Sequence, residues 1–341
     1  MSARFLVTLP TRDERGWAHL PPYEERAQAV QAAEVAAIDG VVAPYDLEGE
    51  ESTVVVSDAL RHSRWLHGVL EFHVSDLNPV YAAKIAASSQ RFHGGRLAWA
   101  PLVEAPTTSQ RLPASTGLDA WYARADEFLT VARGVWENAG YDHDGTYYQV
   151  RGGGFPQVRA HGFRDALAGL PFPRVHLTGT SDHTLGLSAR HGDVHLFTSP
   201  REREEHGPRL DALADAAGRT VAHGLRLSLL AREDDAEARA VVAALEGAGP
   251  DLVPLASGAS WWDGFARLGH AVPGGLVGSY ADVAAELRAL TAPADGTTGV
   301  DTVVVDLRPR VEETYRLGEH VLPLVRTPSA TTTPLETTGA L

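Results

Sequence analysis

The chain has 341 residues, 44% hydrophobic and 22% charged, enough apolar material for one large domain or two ordinary ones and too much for a disordered or fibrous chain. Thirty Lys plus Arg against 44 Asp plus Glu leave a formal net charge of -14, so most of the surface repels nucleic-acid phosphates and anionic lipid. The absence of cysteine excludes disulfides, thiolate metal sites and thiol nucleophiles, and no apolar run reaches the ~18 residues of a membrane span or signal segment, which makes the cytoplasm the expected location. Lys84 is the only lysine, a coding bias that makes any single arginine a weak sign of function.

Short β-branched or apolar runs alternate with longer Ala-, Arg- and Glu-rich stretches at helical period. In chain order the pattern predicts strand 4–9, helix 23–37, strand 40–43, helix 53–61, strand 67–73, helix 79–91, strand 96–102 and helix 118–138. It continues with strand 174–178, helix 182–190, strand 193–197, helix 200–216, strand 224–231, helices 234–247 and 280–290, strand 302–306 and a last helix 311–321. Eight strands with intervening helices predict an α/β fold of the (β/α)8 TIM-barrel type, whose active site sits at the C-terminal ends of the strands. A doubly wound sheet would need a glycine-rich phosphate loop after the first strand, and Leu9-Pro10-Thr11-Arg12-Asp13 offers none. The barrel is expected over 1–325, with excursions at about 139–173, a candidate small hairpin, and 248–278, and a flexible Thr- and Pro-rich tail over 326–341.

Several residues at the expected mouth carry chemistry. Gly179-Thr180-Ser181 lies between a strand and a helix start, where N–H groups and hydroxyls can hold a phosphate; the simpler reading is that Ser181 or Asp182 caps the helix. Arg226 is the one charged residue inside an apolar strand, and it either holds an anion at the mouth or pairs with Glu71, Asp306 or another strand-end carboxylate. His73 ends the third strand and is the candidate general acid-base group, set against a histidine merely hydrogen-bonded to its neighbour. Arg12 and Arg308, at the first and eighth strand ends, would join Arg226 in a cationic mouth selecting anions, or pair with Asp13, Glu14 or Glu312. The scattered His183, His191 and His195 match no metal spacing, and Asp142-His143-Asp144-Gly145 reads as a turn, so no metal is expected. Glu48-Gly49-Glu50-Glu51 reads as a helix start, and Trp261-Trp262 with Phe265 as a hydrophobic lid or as packing on the barrel.

The run Arg308-Pro309-Arg310-Val311-Glu312-Glu313-Thr314-Tyr315-Arg316-Leu317-Gly318-Glu319-His320 resembles the closing helix of the alkanesulfonate monooxygenases, within the bacterial luciferase-like flavin monooxygenases. Phe5 to Thr11, Gly40 to Pro44, Asn78 to Lys84, Phe92 to Leu97, Gly179 to Asp182 and Gly224 to Leu227 fall in the same order, so the resemblance covers about 4–325. It implies a dimeric luciferase-like barrel using O2 and reduced FMN from a separate flavin reductase, through a flavin peroxide adduct. It also implies that Ala43, Tyr122, Gly179, Thr180 and Ser181 lie beside the cofactor and that Arg226 stabilises negative charge. Arg12 and Ser228 stand where the family has histidines, Arg308 where it has a tyrosine, and Ala100-Pro101-Leu102-Val103-Glu104 replaces its flavin-side segment. The expectation is a two-component FMN-dependent monooxygenase acting on an organic small molecule rather than a simple alkanesulfonate. The alternatives are a catalytically reduced chain partnering an active homologue, in a heterodimer rather than a homodimer, and a deazaflavin-dependent oxidoreductase.

Overall fold

The computed structural model describes residues 3–12, 22–103, 117–155, 167, 169–246, 260–293 and 298–326. Among these, eight parallel strands close into a barrel: β1 (Arg4–Thr8), β2 (Gly40–Ala43), β3 (His67–His73), β4 (Leu97–Leu102), β7 (Arg174–Thr178), β8 (Val194–Phe197), β9 (Ala222–Arg232) and β12 (Thr302–Asp306). Closure comes from the β8–β9, β9–β12 and β12–β1 pairings, the last in register Phe5 with Val303. The (β/α)8 expectation is met, and each predicted strand matches its observed counterpart to within one or two residues.

Period-2 alternation sorts each strand between two cores. Leu6, Val42, Val69, Ala98, Leu196 and Val304 form an apolar plug in the lumen, while Phe5, Val41, Leu70, Trp99, Val303 and Val305 pack outward beneath the helices. The helices begin where local chemistry satisfies their free N–H groups. Asn78 accepts from the Val80 N–H at 3.0 Å to open α3 (Pro79–His93), and Glu51 accepts from Thr53 at 2.7 Å to open α2 (Ser52–Arg61), the capping expected of the Glu48–Glu51 run. The last helix turns through Arg310–Arg316 and a wider-wound stretch at Leu317–Val321, then continues to Arg326. Of the expected tail, residues 327–341 lie outside the described residues, as do 156–166 and 168 of the first excursion and 248–259 of the second. Among the described residues no helix is long and apolar enough to cross a membrane.

Two corrections concern the excursions. Asp142-His143-Asp144 is not a turn but lies in strand β5 (Tyr141–Asp144), antiparallel to β6 (Gln149–Gly153). The hairpin is held on α4 (Leu118–Glu137) by Glu127, which takes the Tyr148 N–H at 2.7 Å and lies 3.1 Å from His143 Nε2. The second excursion contains β10 (Ser260–Trp262) and β11 (Gly275–Ser279), neither expected; β11 pairs in parallel with the extension of β9 over Ser228–Arg232. A Cβ at Gly275 would collide with the Ser228 backbone, so the glycine that hides this strand in the sequence is what lets it approach.

Candidate active site at the C-terminal mouth

The strand C-termini converge on one end of the barrel, where the inward-facing positions turn from apolar to polar. Glu71 of β3 and Arg226 of β9 meet across the lumen, Oε1 to Nη1 at 2.7 Å, and Glu71 Oε2 accepts the Tyr45 N–H at 3.2 Å. Of the partners considered for Arg226, Glu71 is the one found. The guanidinium is not saturated by it: Nε is buried and has no hydrogen-bond partner among the described residues.

His73, at the end of β3, is buried between two aromatic rings, Trp121 at 5.3 Å and Tyr45 at 5.9 Å between centroids. Its Nδ1 shares a 2.7 Å hydrogen bond with the Ser75 hydroxyl, and the Tyr45 hydroxyl donates to Asp76 at 2.6 Å. Tyr45 and Trp121 were not singled out from the sequence; the signal available was adjacency, one residue beyond the Gly40–Pro44 segment and one before Tyr122.

The expected cationic mouth does not assemble. Arg12 is half exposed and bound to Asp46 at 3.1 Å and Glu48 at 2.7 Å on the loop after β2. Those partners differ from Asp13 and Glu14, which lie outside the described residues. Arg308 is half-buried and acts electrostatically on Asp306, the last residue of β12. Arg12 and Arg226 are therefore each paired with a carboxylate, while the Arg308 charge acts on Asp306. Asp306 is itself closely held: Thr8 donates to Oδ1 at 3.0 Å and the Ala271 N–H to Oδ2 at 2.8 Å. Burial pushes its carboxyl up, but the His270 imidazole 3.5 Å away and the charges of Arg310 and Arg308 outweigh that and hold it well below the usual carboxylate range.

Residues 270–274 form a strap over this side of the mouth. Ser228, which stands where the resembled family has a histidine, is fully buried and spends its hydroxyl on the Val272 carbonyl at 2.7 Å, while its N–H donates to the Gly274 carbonyl at 2.9 Å. Trp262 and Phe265 pack against Leu230, Val242 and Val277 in a separate apolar cluster, so they anchor the strap's base rather than cover a ligand.

On the other side of the mouth stands α5 (Asp182–His191). Gly179 has φ 104°, a conformation that favours glycine and turns the chain from β7 into the helix. Ser181 is the N-cap, accepting the Thr184 N–H at 3.2 Å, as the simpler reading expected. Capping leaves the N–H groups of Asp182 and His183 outside the helix's own ladder. Tyr122 on α4 stacks on His183 at 4.7 Å and 6°, which brings its ring to the same helix start. Asp182 is turned toward Arg209, 3.5 Å away, which moderates its repulsion of an anion there. Ala43 packs its methyl group into the outer core, so only its backbone borders the mouth. The candidate metal ligands are dispersed: His183 lies 3.2 Å from Asp119, His191 2.9 Å from Asp126, and His195 2.7 Å from Ser188. Among the described residues no group of three or more metal-ligating side chains is found.

A closed parallel barrel with a polar C-terminal mouth is the architecture of a TIM-barrel enzyme. The chain belongs to the luciferase-like monooxygenase family, whose model matches residues 3–294. Its fold is similar to that of EDTA monooxygenase from Chelativorans sp. BNC1, with TM-score 0.73 and 16% identity over 95% of this chain and 93% of that one. It is also similar to the oxygenating constituent of 3,6-diketocamphane monooxygenase from Pseudomonas putida, solved with FMN (TM-score 0.69, 15% identity, 96% of this chain and 100% of that one). A third similar fold is the coenzyme F420-dependent tetrahydromethanopterin reductase from Methanopyrus kandleri (TM-score 0.63, 12% identity, 95% and 99%).

Proposed function

We propose that this chain is the oxygenating component of a two-component monooxygenase, receiving reduced FMN from a separate flavin reductase and acting on a neutral organic small molecule. The observation that carries this reading is Arg226: an arginine fixed in the lumen by Glu71, with a buried Nε–H that has no acceptor among the described residues. Such a donor is costly unless an acceptor completes it, and the anionic edge of a reduced flavin is an acceptor of the right kind. At the other side of the mouth, Thr180, the first-turn N–H groups of α5 and Tyr122 would hold the phosphate, favoured by the positive helix end. Bound reduced flavin supplies the electrons with which O2 is activated.

The chain's own groups have distinct tasks in this reading. Arg226 donates to negative charge and Glu71 keeps its guanidinium from swinging away. His73, with its Nδ1 on the Ser75 hydroxyl, holds or moves a proton at the mouth. Tyr45 and Trp121 exclude water around that imidazole. Because Arg12 and Arg226 are each paired with a carboxylate, the mouth offers little of the unbalanced positive charge that a sulfonate would require. A neutral substrate fits this balance.

The test is an anaerobic titration with reduced FMN and, separately, with F420. Saturable binding of reduced FMN, about tenfold weaker in Arg226→Gln as expected for one charge-assisted hydrogen bond, supports the proposal. Binding of F420 alone would make the chain a deazaflavin-dependent oxidoreductase. Binding of neither would make it a subunit that supports an active homologue.

A further inference from the structure

The N-terminal end of the barrel, opposite the mouth, holds a cavity of about 430 Å³. Arg4, at the start of β1, and Arg174, at the start of β7, stand in its wall, with His67 of β3 and His176 of β7. Leu6 and Val69 of the lumen plug also line it and lie between it and the mouth, so it is a separate site. Two acids stand nearby, Asp193 in the wall itself, and each is already paired. Asp301 is bound by Arg174 at 2.8 Å, and Asp193 by Arg219 at 3.3 Å and by the Val175 N–H at 2.8 Å. Among the described residues Arg4 has no carboxylate within 4.0 Å of its guanidinium.

His176 supplies an independent sign. Its side chain faces the lumen, is only 4% exposed, and has a buried Nδ1 without a hydrogen-bond partner among the described residues. Burial lowers its pKa to about 3, with the Arg174 charge acting in the same direction, so the ring is neutral and presents one N–H donor. The Arg4 guanidinium, without a carboxylate among the described residues, and the buried His176 imidazole leave donors unused when the cavity holds only water. An oxyanion satisfies both defects together.

We propose that this cavity is a binding site for a small oxyanion, a carboxylate or a phosphate, whose charge is met by Arg4 and Arg174 and whose oxygen accepts a hydrogen bond from His176. The site stands apart from the catalytic mouth and does not depend on the oxygenase reading. It gives the barrel base a ligand of its own.

The full chain, titrated at constant ionic strength with inorganic phosphate and separately with acetate, tests this by thermal unfolding and by the imidazole resonances of His176. A saturable rise in Tm with one of the two anions, accompanied by a shift of the His176 signals, is expected, and the effective anion tells phosphate from carboxylate. Arg4→Gln, near the chain start and away from the plug, should weaken that binding by at least about tenfold, as loss of a charge-assisted contact does. Arg226→Gln should leave it unchanged. No saturable response to either anion, or an equal response in Arg4→Gln, would overturn the proposal.

Discussion

Replacing Glu71 by Gln keeps the shape of the lumen and removes only the charge that balances Arg226. The two side chains are 2.7 Å apart and 8% and 19% exposed, so the pair is largely but not wholly buried. Stripping one partner from a fully buried pair costs about 3–5 kcal/mol; water reaching Arg226 through the mouth brings the expected cost down to about 2–3 kcal/mol. At about 2–4 °C per kcal/mol for a large domain, Glu71→Gln should melt roughly 5–10 °C below the parent chain. The double variant Glu71→Gln/Arg226→Met should recover most of that loss, giving a coupling energy of about 2 kcal/mol in a double-mutant cycle followed by circular dichroism. The unbalanced guanidinium should also bind reduced FMN more tightly, since it no longer shares its charge with a carboxylate. A Glu71→Gln chain that melts with the parent, or single effects that simply add, would refute the cross-lumen pair as the organising element of the mouth.

Other consequences are independent of that pair. Ser181→Ala removes the N-cap of α5 and should cost about 1 kcal/mol, read as a lower urea midpoint, with a larger proportional loss of phosphate-bearing than of phosphate-free flavin binding. Asp126 is lowered to about 2 by its hydrogen bond from His191, against burial and with help from Arg190. A depressed acid stabilises above its unfolded pKa and loses that contribution as pH falls, so stability should drop between about pH 4 and pH 2, a slope that Asp126→Asn should flatten. Arg232 and Glu313 form a buried bidentate pair at 2.8 and 2.9 Å; Glu313→Gln should cost about 3–5 kcal/mol in chemical denaturation, while Arg232→Met/Glu313→Leu should be close to neutral.

The barrel was legible because its signal is local. Thr302-Val303-Val304-Val305 and Gly40-Val41-Val42-Ala43 are short apolar runs bounded by polar residues, and buried parallel strands need little else. The same locality explains the misses. Gly275-Leu276-Val277-Gly278-Ser279 looks like loop, since Gly275 is required by a strand 47 positions earlier, where it meets Ser228. Arg12, Arg226 and Arg308 suggested a cationic rim because strand ends fix where a side chain starts, whereas Asp46, Glu71 and Asp306 decide what it meets. The aromatic frame of His73 joins Tyr45 and Trp121 from separate βα units, a grouping that the side-by-side pairing of β2, β3 and β4 creates.

The most direct measurement on the oxygenase proposal is a crystal structure of the chain soaked with FMN. The expected result is an isoalloxazine at the C-terminal mouth accepting from Arg226, with its phosphate at Thr180 and the start of α5 beside Tyr122. A flavin bound elsewhere, or a mouth in which Arg226 keeps Glu71 as its sole partner while FMN saturates the protein, would contradict it.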